Sequence, residues 1–116
     1  MLYWDDNLNL ANILVALYQV WGTKAAVQDI RIANAPTGGI MTIDVRIGAQ
    51  EQQYLRLDYD QAHLAVYVKC EEGYVYLGKL TDHNVKAGFA ACEMENLLQN
   101  FKAADEVLKG YRKKLI

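Results

Sequence analysis

Residues 40–70 decide the fold of this chain, and they read IMTIDVRIGAQEQQYLRLDYDQAHLAVYVKC. Apolar and polar residues alternate over 40–48, over 53–59 and again over 64–70. Successive side chains of a strand point to opposite faces, so this pattern predicts three strands, each with one apolar face. Residues 60–63 are predicted to be a turn, and such short connections favour an antiparallel meander. The residues predicted to face the core are Met41, Ile43, Val45, Ile47, Leu55, Leu57, Tyr59, Leu64, Val66, Val68 and Cys70.

Two further strands are predicted beside this stretch, over residues 27–33 and 74–80. A turn that contains Pro36 and the glycine pair 38–39 separates the first of them from the next strand. Because no helix begins after these glycines, they are interpreted as a turn and not as a phosphate-binding loop. The sheet is therefore predicted to have four or five strands.

A helix is predicted at each end of the chain. The first covers 7–21, with Asp5 and Asp6 at its positive end and Gly22 as its stop. It is apolar most of the way round, which predicts burial on more than one side. The second covers 82–115, where apolar residues recur every three or four positions. The fold class is thus α+β, a single domain over residues 1–116, with both helices on one face of the sheet.

The length of the second predicted helix suggests a homodimer. An unbroken helix over 82–115 would be about 50 Å long, whereas a globule of this chain length is about 35 Å across. The helix should therefore kink at Gly88 or extend beyond the domain, and a second copy would then cover its apolar stripe. The alternative is a monomer whose helix packs wholly across its own sheet. The predicted dimer-interface residues are Phe101, Leu108, Tyr111 and Leu115.

The composition excludes several classes of protein. Of the 116 residues, 53% are hydrophobic and 22% are charged, which excludes a disordered or low-complexity chain. No serine is present, so a serine nucleophile is excluded. The formal net charge of −2 does not favour a nucleic-acid binder. The apolar stretch 8–21 is too short to span a membrane, and two cysteines do not make a disulfide framework, so a cytoplasmic location is expected.

No motif in the sequence has the spacing of a catalytic or metal site. Asp58, Asp60 and His63 bring oxygen and nitrogen ligands close together, but a polar turn usually contains such residues. Cys70 and Cys92 are expected to be free, with Cys92 in the middle of the second helix. A nucleophilic pair of either cysteine with His63 or His83 is conceivable, although nothing local supports it. We therefore expect no catalytic residue, no metal and no cofactor.

The outer face of the predicted sheet carries the clearest functional signal. Tyrosine and arginine recur at recognition surfaces, because tyrosine offers a large area with few rotatable bonds. The alternative is that these tyrosines merely form cross-strand pairs on a solvated face. An RNA-binding platform would need more positive charge than this face has. The predicted partner-binding residues are Tyr54, Arg56, Tyr67, Lys69 and Tyr76.

These observations favour a non-catalytic protein-binding domain that does not bind nucleic acid or a membrane. The order of helix, meander and helix resembles the layout of small bacterial chaperone, immunity and inhibitor proteins, although no family motif accompanies it. The surfaces expected to bind are the tyrosine-rich face and the second helix. The alternative is a small-molecule-binding protein or enzyme with a pocket between the first helix and the sheet. A sizeable cavity lined by His63, His83 or the tyrosines would favour that alternative.

Overall fold

The computed structural model describes residues 4–35, 38–48, 53–82, 84–86 and 88–114. A five-stranded antiparallel sheet in the order β1-β2-β3-β4-β5 lies between an N-terminal and a C-terminal helix in the chain. The predicted α+β fold with a β-meander is therefore confirmed. The elements are α1 (Trp4–Trp21), β1 (Ala25–Ala35), β2 (Gly38–Ile47), β3 (Gln53–Asp60), β4 (His63–Cys70), β5 (Gly73–Tyr76) and α2 (Met94–Lys114), with 3₁₀ turns at Gly22–Lys24, Leu77–Lys79 and Phe89–Cys92.

The alternating pattern sets which face of the sheet is buried. Ile43 of β2 pairs with Leu57 of β3, which pairs with Val66 of β4, and all three side chains are buried. The inward residues of the three central strands form one hydrophobic core with residues of α1 and α2. The opposite face of the sheet carries no helix from the described residues. The predicted core face is thus confirmed, except that Cys70 at the end of β4 is half-buried.

The turn between β3 and β4 holds two non-glycine residues in the left-handed region. Gln61 has a φ of 50° and Ala62 a φ of 71°. Positive φ at both central residues is what a two-residue type I′ hairpin requires, and it normally selects asparagine and glycine. The hairpin register imposes this conformation even though neither side chain favours it.

The first turn of helix α1 is hydrogen-bonded to the sheet. The helix begins at Trp4, three residues before the predicted start, so that Asp5 and Asp6 lie within its first turn. Asp6 is buried, and its carboxylate accepts hydrogen bonds from the hydroxyl of Tyr59 and the backbone N–H of Gly39. The helix ends at Trp21, and Gly22 follows with a φ of +59°, as the glycine stop predicts.

Helix α2 is shorter than predicted, because it begins at Met94 and the described residues between 82 and 93 do not join it. The chain turns at Gly88, whose φ is +78° and whose carbonyl accepts a hydrogen bond from the N–H of Leu64. Buried Asn100 bonds both the N–H and the C=O of Lys86, at 3.0 and 2.7 Å, and so holds this segment beside the helix. Gly88 is therefore not a kink within a helix. The 21 residues of α2 are about 31 Å long.

Two of the predicted dimer-interface residues lie in the core of the chain itself. Phe101 is 0% and Leu108 is 1% exposed, and the ring of Phe101 packs 5.7 Å from that of Trp21 in α1. The shorter helix packs across its own sheet, so it needs no second copy to cover these side chains. The side chain of Tyr111 and the whole of Leu115 lie outside the described residues. The prediction that Phe101 and Leu108 form an intermolecular surface is wrong in this fold.

Strand β5 is also shorter than predicted, since it ends at Tyr76 instead of Leu80. The 3₁₀ turn Leu77–Lys79 follows it and places Leu77 in the core. This early end leaves Tyr74 and Tyr76 as the strand's residues on the outer face of the sheet. In the described part of the chain, no helix is long and apolar enough to cross a membrane.

Candidate protein-interaction surface

The strand register brings four tyrosines together on the outer face of the sheet. Tyr67 of β4 pairs with Tyr76 of β5, and Lys69 pairs with Tyr74 two residues further along. On the other side, Arg56 of β3 pairs with Tyr67, and Tyr54 precedes it by two residues on the same face. All four tyrosines are partly buried by their neighbours and partly open. We call this surface the tyrosine face; it consists of Tyr54, Arg56, Tyr67, Lys69, Tyr74 and Tyr76.

Each ring of the tyrosine face is held by a neighbour across the strands. The rings of Tyr67 and Tyr76 lie 5.8 Å apart in an edge-to-face arrangement. The guanidinium carbon of Arg56 lies 4.2 Å from the ring centroid of Tyr74, and Nζ of Lys69 lies 5.4 Å from that of Tyr54. Both distances are within the range of cation–π interactions. These contacts restrict the side chains of the face before any partner binds.

Asp44 anchors the arginines beside these rings. Its Oδ1 accepts a 2.7 Å bond from Nε of Arg56, and its Oδ2 accepts a 2.8 Å bond from Nη1 of Arg31. The hydrogen bond from Arg56, with a further bond from Arg31, holds the pKa of Asp44 below its ordinary value. Burial, together with the negative charge of Asp44, raises the pKa of Tyr74. The network therefore fixes Arg56 under the ring of Tyr74.

Two cations at the Tyr54 end of the face remain available to a partner. Arg46 of β2 pairs with Tyr54 in the register, and Lys69 lies over the ring of Tyr54. Among the described residues, neither cation forms an ion pair with a carboxylate. Asp58 lies on the same face but four residues from Tyr54 along β3, towards the opposite end. Arg46 and Lys69 therefore flank Tyr54 as two cations, while Glu71 and Glu72 lie exposed in the turn that follows Lys69.

The predicted partner-binding residues Tyr54, Arg56, Tyr67, Lys69 and Tyr76 do lie on one surface of the sheet. Their role in binding stays a prediction. The predicted set of partner-binding residues lacks Tyr74 and Arg46, although Arg46 was expected beside the tyrosines. The signal for Tyr74 was available, because it lies two residues before Tyr76 and therefore on the same face of the strand. Arg46 was placed on this face by its alternation, but nothing in the sequence distinguished it from paired arginines.

Cys92, considered for nucleophilic chemistry, lies in the core, and Asp58, considered for metal binding, lies on the outer face of the sheet. In the described ranges, no group of three or more histidine, cysteine, aspartate or glutamate side chains is arranged to hold a metal ion. Cys92 is not in the middle of a helix, as predicted, but at the end of the 3₁₀ turn Phe89–Cys92. It is buried, and burial raises the pKa of its thiol to about 11. The residue His83 lies outside the described residues.

A cavity of about 220 Å³ lies at the end of α1, between the sheet and α2. Its lining includes Trp21, Gln53 and Asp105, together with Lys24 and Lys109. The carboxylate of Asp105 accepts a hydrogen bond from Nε1 of Trp21 and pairs with Nζ of Lys109. The lining contains neither a histidine nor a tyrosine, and its volume is below the roughly 300 Å³ of small ligand pockets. The features expected of the ligand-binding alternative do not occur in this cavity.

Comparison with known proteins adds no further assignment. The chain matches no protein family, no curated protein and no solved structure at a significant level.

Proposed function

We propose that this chain is a non-catalytic protein-binding domain, of the inhibitor, immunity or secretion-chaperone type, whose tyrosine face binds an acidic surface of another protein. The observation that supports this most strongly is the position of four half-open tyrosines on the face of the sheet opposite the core. Both helices contribute to the core on the other face, so the fold itself does not account for these four rings.

The fixed geometry of the face favours affinity. Ordering a mobile side chain at an interface costs about 0.5–1.5 kcal/mol. The paired rings of Tyr67 and Tyr76 and the cation-bound rings of Tyr54 and Tyr74 are already restricted in the free protein. Their burial by a partner would therefore cost little further entropy, and each ring would contribute a large apolar area and a hydroxyl.

The charge of the face indicates the chemistry of the partner. Arg46 and Lys69 are unpaired cations among the described residues, and they flank Tyr54. Carboxylates of a partner would satisfy them across the interface. Nucleic acid fits less well, because Asp44 and Asp58 lie on the same face and the whole chain has a net charge of −2. Two free cysteines support a cytoplasmic location, where thiols stay reduced.

The proposal is tested by affinity capture followed by titration. The immobilised wild-type chain captures its partner from the native host, and the purified partner is then titrated calorimetrically against variants. We expect Tyr54→Ala and Tyr67→Ala each to weaken binding about tenfold or more, as truncation of a central anchor does. Added salt should weaken wild-type binding further, because the cations contribute to it.

The matched control is Gln99→Ala, which removes an exposed side chain from α2 outside both the tyrosine face and α1. It should bind the partner with wild-type affinity. Equal affinity of the wild type, Tyr54→Ala and Tyr67→Ala for the captured partner would contradict the proposal. Tight binding of a single-stranded RNA oligonucleotide that the same variants abolish would contradict it too, in favour of a nucleic-acid platform.

A further inference from the structure

The large hydrophobic side chains that the fold leaves exposed lie on two adjacent elements. In the described part of the chain, seven such side chains are between 37% and 66% exposed, and every one belongs to α1 or β1. A monomeric soluble protein rarely exposes a contiguous apolar surface of more than a few hundred Å². We call this surface the α1–β1 patch; it consists of Leu8, Leu14, Val15, Tyr18, Val27, Ile30 and Ile32.

The apolar residues of β1 lie on the core face of the sheet, yet they are only partly covered. Ile30 pairs with Ile43 and Ile32 pairs with Met41, and both β2 partners are fully buried. The residues packed on the sheet therefore bury the core face of β2 fully and that of β1 only in part. Helix α1 packs against both the sheet and α2, but one apolar stripe of it faces away from these contacts.

Strand β1 also forms one edge of the sheet. It is 11 residues long and pairs only with β2 among the described strands. A long edge strand exposes unpaired backbone N–H and C=O groups that can pair with another strand, and proteins usually protect such edges with charges or bulges. Here a bulge lies near residue 28, and the part of β1 beyond it pairs regularly with β2.

We infer that a second copy of this chain covers the α1–β1 patch, by antiparallel pairing of β1 with β1 of the partner copy about a two-fold axis. Such an axis runs perpendicular to the sheet, so the two core faces stay on the same side. The ten strands then form one continuous sheet, and the two α1 helices approach each other above the joined strands. This arrangement covers both parts of the patch at once, and it is the commonest symmetry of protein dimers.

The charges of β1 select the register of this pairing. Asp29 and Arg31 flank Ile30 on the outer face, where they form an ion pair of 2.6 Å within one copy and keep side chains 53% and 48% exposed. A two-fold axis at Ile30 places Asp29 of each copy opposite Arg31 of the other, which gives two complementary pairs. An axis at Arg31 would instead place the two arginines opposite each other, and like charges there are destabilising. The strand is therefore self-complementary in the register centred on Ile30.

The size of the α1–β1 patch agrees with a second copy of the chain as its partner. A stable interface buries about 800 Å² on each partner, with an apolar centre and a polar rim. Seven large side chains that are each more than a third exposed, together with the adjoining backbone edge, make a surface of that order. The apolar centre around Ile30 has Asp29 and Arg31 beside it as polar neighbours. The surface also lies apart from the tyrosine face, so the dimer leaves that face open.

Mixing of charge variants tests both the dimer and its register. Asp29→Arg places arginine at both positions, and Arg31→Asp places aspartate at both, so each variant repels its own copy. In an equimolar mixture, every charged pair across the axis is again complementary. By light scattering, we expect the wild type and the mixture at twice the 13.1 kDa monomer mass, and each variant alone at the monomer mass. Circular dichroism verifies that the two variants are folded.

Several results would overturn the inference. A wild-type chain that stays at 13.1 kDa up to millimolar concentration would exclude the dimer. A dimer that persists in both charge variants, or variants that fail to associate when mixed, would exclude the proposed register. Should a charge variant not fold, Tyr18→Glu takes its place, because this side chain is 66% exposed on α1 and contributes little to the core. A folded Tyr18→Glu variant with unchanged dimerisation would exclude the α1 part of the interface.

Discussion

The phenolic hydroxyl of Tyr59 donates a 2.5 Å hydrogen bond to Oδ1 of Asp6, and this bond connects the first turn of α1 to the middle of the sheet. The second carboxylate oxygen accepts the backbone N–H of Gly39 at the start of β2, and Asn9 donates to the same phenol. Both Asp6 and Tyr59 are buried. A buried carboxylate is stable only when its oxygens are satisfied, so this network fixes where α1 lies.

We predict that Tyr59→Phe lowers the free energy of unfolding by about 2 kcal/mol, because a hydrogen bond to a buried charged group is lost. Urea denaturation measures the change. The control is Tyr18→Phe, which removes the same hydroxyl from an exposed ring and should change stability by less than about 0.5 kcal/mol. Equal effects of the two substitutions would contradict a structural role for the Tyr59 hydroxyl.

The same residue predicts an alkaline transition. Burial raises the pKa of Tyr59 from 10.0 to about 12. The folded state therefore holds this proton more tightly than the unfolded state, and its contribution to stability is complete below pH 10. That contribution is lost as the pH rises from 10.0 to about 12. The wild type should lose stability over this interval, and Tyr59→Phe should lose less. Parallel alkaline unfolding curves for the two proteins would contradict this prediction.

The pH dependence of stability predicted for Asp44 has the opposite sign to that predicted for Tyr59. The guanidinium groups of Arg56 and Arg31 lower the pKa of Asp44 in the folded state. The contribution of Asp44 to the free energy of unfolding is therefore present above its ordinary pKa of 3.8 and is lost as the pH falls through the lowered folded pKa. At neutral pH, Asp44→Asn should lower the free energy of unfolding by about 1 kcal/mol, as expected for partly exposed ion pairs. In acid the difference from the wild type should shrink. A difference that stays constant from neutral pH into acid, or an equal loss in Asp58→Asn, would contradict the proposed network.

A substitution at Leu108 tests whether this side chain belongs to the core or to a dimer interface. Because the side chain is 1% exposed, Leu108→Asp buries a charge and should unfold the chain instead of releasing a folded monomer. The control Lys102→Asp changes an exposed residue of the same helix and should stay folded. Circular dichroism with light scattering reports both outcomes. A folded, monomeric Leu108→Asp variant would restore the α2 interface that the sequence suggested.

The cysteines are predicted to be structural. Cys92 is buried, and its thiol stays protonated at neutral pH because burial raises its pKa to about 11. In the native protein, Cys92 should react with a thiol reagent much more slowly than half-buried Cys70. Cys92→Ala should cost about 1–2 kcal/mol of stability and leave partner binding intact. Rapid labelling of native Cys92, or loss of binding in a folded variant, would contradict this role.

The pattern of apolar and polar residues predicts the strands of this chain better than the bounds of its helices. Alternation placed Ile43, Leu57 and Val66 on the core face, because period two is a property of the strand alone. The start of α2 depends instead on Asn100, which bonds Lys86 across 14 positions. No spacing rule indicates that pair of bonds, so helical periodicity was extended through residues 82–93. A helix of 21 residues does not extend beyond the domain, so the length that favoured a dimer through α2 is absent.

Of the two candidate surfaces, the sequence pattern predicts the tyrosine face but not the α1–β1 patch. The tyrosine face followed from alternation, and Tyr74 could have been added by the same rule. The exposed stripe of α1 could not be derived, because its apolar residues lie nearly all the way round the helix. Which of them stay open depends on how α1 packs against the sheet and α2, and this packing buries β1 only in part. That is a property of the assembled domain and not of any local segment.

The most direct test of the central claim is the footprint of the captured partner on this chain, measured by NMR shifts of labelled tyrosine rings and backbone amides. We predict that the ring signals of Tyr54, Tyr67, Tyr74 and Tyr76 shift on binding, together with the amides of β3, β4 and β5. The ring of Tyr18 on α1 should keep its position and serves as the internal reference. Unchanged signals from these four rings, with the shifts confined to α1, β1 or α2, would contradict the claim that the tyrosine face is the binding surface.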